Sequence, residues 1–199
     1  MKNIRKRRII SKKECLHDLK DELQTMFKAF REAVKLYEQE VVLTPPESRV
    51  KGFEASLLNS KMTQCVQKHF PSNWRFGKYR RFILRVNGFN ILFKKLNKKN
   101  MPMNVRTKLV DAIANQLQLS LFDDYPEVID PIVFFGYQKD KVGGITNPKL
   151  VYIDENQVRW GIDEAEVKVE TSHHAINQEV SDNDLVKIKR RTSGERKVD

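Results

Sequence analysis

The stretch RFILRVNGFNILFKK, residues 81 to 95, constrains this chain more than any other. Asn-Gly is the preferred pair for a two-residue type I′ turn, and a turn of that length fixes the register of both strands. Asn87-Gly88 then sets Val86 opposite Phe89, Leu84 opposite Ile91 and Phe82 opposite Phe93. Side chains alternate along a strand, so these six share one face, a core face. Arg85 opposite Asn90, Ile83 opposite Leu92 and Arg81 opposite Lys94 make a second, mixed face that a helix is expected to cover in part. Farther from the turn, Arg80 is expected opposite Lys95 on the core side. Like charges directly opposite are destabilising, and even a favourable cross-strand pair contributes only roughly 0.2–1 kcal/mol. Four cations at one level need neutralising by a phosphate backbone, by an acid elsewhere in the fold, or by water and salt.

The charge distribution points to the same place. The whole chain of 199 residues carries a net charge of +11. Between residues 44 and 162 there are 19 Lys/Arg and 10 Asp/Glu. Nine of those cations lie between Trp74 and Lys99 with no acid among them: Arg75, Lys78, Arg80, Arg81, Arg85, Lys94, Lys95, Lys98 and Lys99. The remainder of that region balances at 10 against 10, so this segment holds its entire excess. A clustered basic patch is the electrostatic footprint of nucleic-acid binding. Trp74, Phe76 and Tyr79 are interleaved with it, and aromatic rings stack on unpaired bases. Two other readings compete. One is a solvated basic edge that deters strand-to-strand aggregation. The other is a surface for an acidic protein partner.

The rest of the chain reads as an α+β protein. Residues 14 to 42 form a long predicted helix with Leu16, Leu19, Leu23, Phe27, Phe30, Val34 and Tyr37 in one apolar stripe. That stripe docks on the chain's own domain or pairs with a second copy as a homodimer. A second helix is predicted over 47–70 and a third over 104–119, with Asn104 as its N-cap. IVFFGY, KLVYID and QVRWGI read as three strands of an antiparallel meander. The expected domain, 44–162, is an antiparallel sheet of about five strands with packed helices, preceded by the helix up to residue 43. Residues 1–13 read as a basic disordered tail and 163–199 as a disordered tail with charge blocks.

No chemical motif stands out. His17, His69, His173 and His174 show no metal-ligand spacing, and no nucleophile elbow or phosphate-binding glycine loop occurs. A metal-dependent nuclease would need a helix carboxylate and strand carboxylates near a lysine. Glu54 is the best helix carboxylate, but the second hairpin strand has no acid, and EVK (166–168) lies in the tail. Glu54 therefore reads as a partner for a hairpin arginine. No catalytic residue, metal or cofactor is assigned. Cys15 and Cys65 read as free thiols in a reducing cytoplasm. No apolar run approaches the ~20 residues of a membrane span, and the basic N-terminus lacks the apolar core of a secretory signal.

The stretches RVKGFEASLLNSKM, GKYRRFILRVNGFNILFKKLNKKNMPMN and PIVFFGYQKDKVGGITNPKLVYID resemble an uncharacterised family of bacterial and mobile-element proteins across about residues 48–162. The resemblance implies a cytoplasmic protein, in some cases encoded beside helix-turn-helix proteins with a metallopeptidase-like domain. Such a setting fits stress, toxin–antitoxin or phage-defence biology, and it brings no catalytic residue with it. The expected function is non-enzymatic nucleic-acid binding through the basic hairpin.

Overall fold

A computed structural model describes residues 8–105, 107–116 and 130–168 of the chain. The Asn87-Gly88 turn forms as expected, with both residues left-handed at φ 45° and 76°. Val86 pairs with Phe89, Arg85 with Asn90 and Leu84 with Ile91. Six strands lie in one sheet in chain order: β1 (Trp74–Gly77), β2 (Arg81–Val86), β3 (Phe89–Lys95), β4 (Ile132–Lys139), β5 (Ile145–Asp154) and β6 (Gln157–Asp163). That is one strand more than predicted. The addition is β1, which pairs antiparallel with β2, Trp74 opposite Leu84.

The β4–β5–β6 meander is antiparallel as expected, whereas β3 and β4 run parallel. Parallel neighbours cannot be joined by a tight turn and need a crossover. The segment between them supplies it and carries α4 (Lys108–Ala114). This helix is shorter than the predicted 104–119, and residues 117–119 lie outside the described ones. Its N-cap is Thr107, whose hydroxyl accepts from the Val110 N–H at 3.2 Å, and not Asn104. Just beyond α4, the buried Gln116 amide donates to the carbonyls of Ile132 (3.0 Å) and Ile153 (2.6 Å) and accepts from the Ile132 N–H (2.8 Å). That side chain ties the end of α4 to β4 and β5.

The predicted N-terminal helix is two segments, α1 (Lys12–Asp18) and α2 (Lys20–Val41), broken at Leu19. The third helix, α3 (Phe53–His69), starts later than predicted. Pro46–Ser48 makes a separate 3₁₀ turn, and Gly52 precedes α3 at φ 88°, a left-handed angle that halts any helix arriving from its N-terminal side. Leu23, Met26, Phe27, Phe30 and Tyr37 of α2 are buried. They join Leu58, Met62 and Val66 of α3 and the sheet residues Leu84, Phe89, Ile91, Phe135 and Tyr152 in one core. The α2 stripe is thus satisfied within the chain, which is the docked alternative and leaves a seam between copies without these residues.

The opposite sheet face buries Ile83, Leu92, Phe134, Val151 and Ile153 with Ile113 of α4. A helix therefore covers part of the mixed hairpin face, as its pattern implies. Three layers result: α1–α3, the sheet, and α4.

Two tail boundaries move. Ile10 is 2% exposed and its carbonyl accepts from Trp160 Nε1 at 3.0 Å, so residues 8–13 are docked on the body. Residues 164–168 are helical, Val167 is buried, and Glu164 pairs with Arg31 at 2.6 Å. Residues 1–7 and 169–199, with His173 and His174, lie outside the described ones. Among the described residues no helix is long and apolar enough to cross a membrane.

Candidate nucleic-acid interface

The connection from β1 to β2 places the first part of the patch. Tyr79 and Arg80 both have left-handed backbones, at φ 58° and 54°. For residues other than glycine that conformation costs roughly 1–2 kcal/mol each. The result is a turn that leaves Tyr79 80% and Phe76 46% exposed. The Arg80 guanidinium lies 5.7 Å from the centre of the Phe76 ring, and Lys78 Nζ lies 5.9 Å from that of Tyr79. Phe76 is not loose on the surface. It contacts Phe82 (5.8 Å), which contacts Phe93 (5.9 Å), which contacts the buried Phe135 (5.8 Å).

This turn corrects one expectation. Strand β2 begins at Arg81, so Arg80 sits in the turn and does not face Lys95 across the hairpin. The opposed pair that remains is Arg81 and Lys94. Both are partly buried. Burial lowers the pKa of Arg81, and burial followed by the neighbouring Arg81 charge lowers that of Lys94. Arg81 Nη1 is buried and meets no hydrogen-bond acceptor. Two like charges thus share a low-dielectric place, where an unpaired polar group is costly.

Hollows open on both sides of this pair. One, of about 280 Å³, lies between the sheet and α4, with Leu92, Ile113 and Phe134 in its wall and Asn97, Asn104 and Asn156 beside the two cations. The other, of about 300 Å³, lies at the β1–β2 turn and includes Phe76, Tyr79, Arg80, Asn59 and Thr63. The Asn97–Met103 loop borders the first. Asn97 Oδ1 accepts from the N–H groups of Lys99 (2.8 Å) and Met101 (3.0 Å), while Gln138 Nε2 donates to the Asn97 carbonyl (2.9 Å) and Asn100 Oδ1 (3.0 Å). These bonds present Lys98 and Lys99, both exposed, at a fixed turn.

The nine candidate cations therefore do not act as one set. Arg85 is taken up by Asp130 at 2.9 Å. Arg75 is half-buried on β1, opposite Ile83. Arg80, Arg81, Lys94, Lys95, Lys98 and Lys99 form no ion pair with a described residue. Glu54 does not serve the hairpin, contrary to expectation. Its carboxylate binds Arg49 (3.2 Å) and Lys139 (2.8 Å), and the Lys139 hydrogen bond leads in holding its pKa below the usual value. Among the described residues no group of three His, Cys, Asp or Glu side chains is placed to hold a metal ion. The three asparagines and the hollow itself had no signal in the sequence, because they meet only through the crossover and the β5–β6 turn. Comparisons with protein-family models, curated proteins and solved structures found no match to this chain.

Proposed function

We propose that the protein is a non-enzymatic nucleic-acid-binding protein that works in the cytoplasm through the β1–β2–β3 edge. One observation carries the reading. Arg80, Arg81, Lys94, Lys95, Lys98 and Lys99 form no ion pair with a described residue, and three of them, Arg80, Arg81 and Lys94, share a hollow with the exposed rings of Phe76 and Tyr79. Phosphates supply the missing charge, and the rings offer stacking surfaces to unpaired bases. Single-stranded nucleic acid uses both features, so it is the preferred form. The buried free thiols Cys15 and Cys65 fit a reducing compartment.

The test is binding of a fluorescent single-stranded oligonucleotide across a salt series. Each phosphate contact contributes about −0.7 to the logarithmic salt slope on single strands and about −0.9 on duplex DNA. The double variant Arg81→Gln/Lys94→Gln should weaken binding whatever the base sequence and flatten the slope by about one or two contacts' worth. Its melting temperature should hold or rise, because a repulsion is removed. Incubation with Mg²⁺ or Mn²⁺ should leave the strand intact. Unchanged affinity together with a lowered melting temperature would refute the reading, and binding of acidic polypeptide in place of nucleic acid would replace it with a protein-docking role.

A further inference from the structure

We propose that the hollow between the sheet and α4 is a site for one phosphate-bearing, nucleotide-sized group. The phosphate lies between the Arg81 guanidinium and the Lys94 ammonium, and the remainder rests on Leu92, Ile113 and Phe134. The volume of about 280 Å³ exceeds what a bare inorganic anion fills, and is near the lower end of small-molecule sites. Its lining has the composition such sites have: an apolar wall with a few polar groups that fix orientation. Arg81 and Lys94 both line the hollow and neither forms an ion pair with a described residue, so their charge there is uncompensated. Arg81 Nη1 itself is closed off from solvent without an acceptor, and a small turn of the guanidinium is needed to present it to a ligand. Arg is suited to this because its planar fork matches a phosphate edge, while Lys serves as a point charge. Asn104 and Asn156 bring side-chain amides to the same hollow, and an amide can both donate to and accept from a heterocycle edge. One feature opposes an anion: Asp111 also borders the hollow, although it is exposed to solvent.

The burial of the two cations supports the same assignment. Both lose hydration and neither gains a carboxylate, so a bound dianion would favour their charged forms. The walls are built to last without a ligand. Gln116 fixes the end of α4 to β4 and β5, and the Asn97 loop is held by Gln138. A preformed hollow of this kind binds without first paying for its own ordering.

The group has two sources, a free nucleotide or a nucleotide within a strand, and the second rests on the function proposed above. The experiment separates them. Calorimetric titration uses adenosine monophosphate, adenosine and inorganic phosphate, and a labelled single-stranded oligonucleotide is titrated in parallel. Two folded variants are compared with the wild type: Arg81→Gln/Lys94→Gln removes the charges, and Val110→Trp fills the hollow without changing charge. The monophosphate should bind more tightly than adenosine or phosphate. Loss of either the charge pair or the space should weaken it by about tenfold to a hundredfold, the range of a charge-assisted hydrogen bond.

If Val110→Trp weakens the oligonucleotide as well, the strand places one of its nucleotides in the hollow. If it weakens only the monophosphate, the hollow serves a free nucleotide and the strand stays on the rim. Monophosphate binding without any oligonucleotide binding would uphold this site and reject the nucleic-acid function. Monophosphate binding that either variant leaves intact, or no monophosphate binding at all, would overturn the site, whereas oligonucleotide binding that Arg81→Gln/Lys94→Gln leaves intact would reject the function proposed above and not the hollow.

Discussion

Tyr79 and Arg80 adopt backbone angles that their own side chains oppose, and nothing buried is gained in return. Tyr79 is 80% exposed at φ 58°. Strain of this kind persists where the surrounding structure imposes it, and functional positions are where it collects. Here it aims a ring and a guanidinium outward next to Phe76. Glycine has no Cβ to resist a left-handed angle. Tyr79→Gly should therefore raise the stability of the protein by about 1 kcal/mol, read as a later urea midpoint. The same change should weaken single-strand binding by roughly 1–3 kcal/mol, the contribution of one stacked base. A more stable variant with unaltered affinity would remove Tyr79 from the interface. At this scale the sequence was half legible. It showed that aromatic rings lie among the cations, but the left-handed pair that exposes Tyr79 follows from a four-residue strand with too few positions to display a period.

Among the elements, β4 is the one on which the interface depends without contributing a charge. Its Gly136 lies opposite Lys94 of β3. A Cβ built there would come within 2.5 Å of Leu96 Cγ and 2.6 Å of the Lys94 carbonyl oxygen. The second contact is with backbone, so no rotamer change relieves it. Gly136→Ala should destabilise the protein by about 1–3 kcal/mol, the usual range for overpacking, and disturb phosphate binding at Lys94. Gly161→Ala is the control, since its nearest neighbour would be 3.5 Å away. Equal melting temperatures for the two variants would contradict this. The elements differ in how far their sequence announces them. The hairpin is explicit because two residues fix its register, and α2 is explicit because its stripe recurs over many turns. The parallel β3–β4 pair is not. IVFFGY is apolar at every position except Gly136, which fits a strand covered on both faces but says nothing of direction. Direction is set by the crossover, and its helix α4 is too short for its limits to be read beyond the competing caps Asn104 and Thr107.

Across the whole molecule, a cation's role depends on partners distant in sequence. Arg85 and Asp130 are 45 residues apart, and Glu54 reaches Lys139 over 85. Composition located the excess charge, whereas only tertiary structure separates the paired cations from the unpaired. The same packing sets the response to alkaline pH. Burial leads in pushing the Cys15 thiol from 9.0 up to about 12, and burial followed by Tyr37 pushes Tyr137 from 10.0 up to about 12. Both groups stay neutral in the folded chain at pH values where the unfolded chain ionises them. Between pH 9 and 12 the unfolded state thus holds fewer protons, and stability falls as pH rises. Lys94 acts in the other direction. Its folded pKa is depressed, chiefly by burial, so from that lowered value up to 10.5 the unfolded state holds more protons and stability rises. Two raised acids act against this one depressed base. The predicted net effect is a stability that holds near neutral pH and declines above about pH 9, measured as urea midpoints across a pH series. Cys15→Ala should make that decline shallower, and Lys94→Met should make it steeper by removing the only one of these three groups that opposes it. A slope unchanged by Cys15→Ala would mean that the thiol is not sealed by α1 and the core in the way its burial indicates.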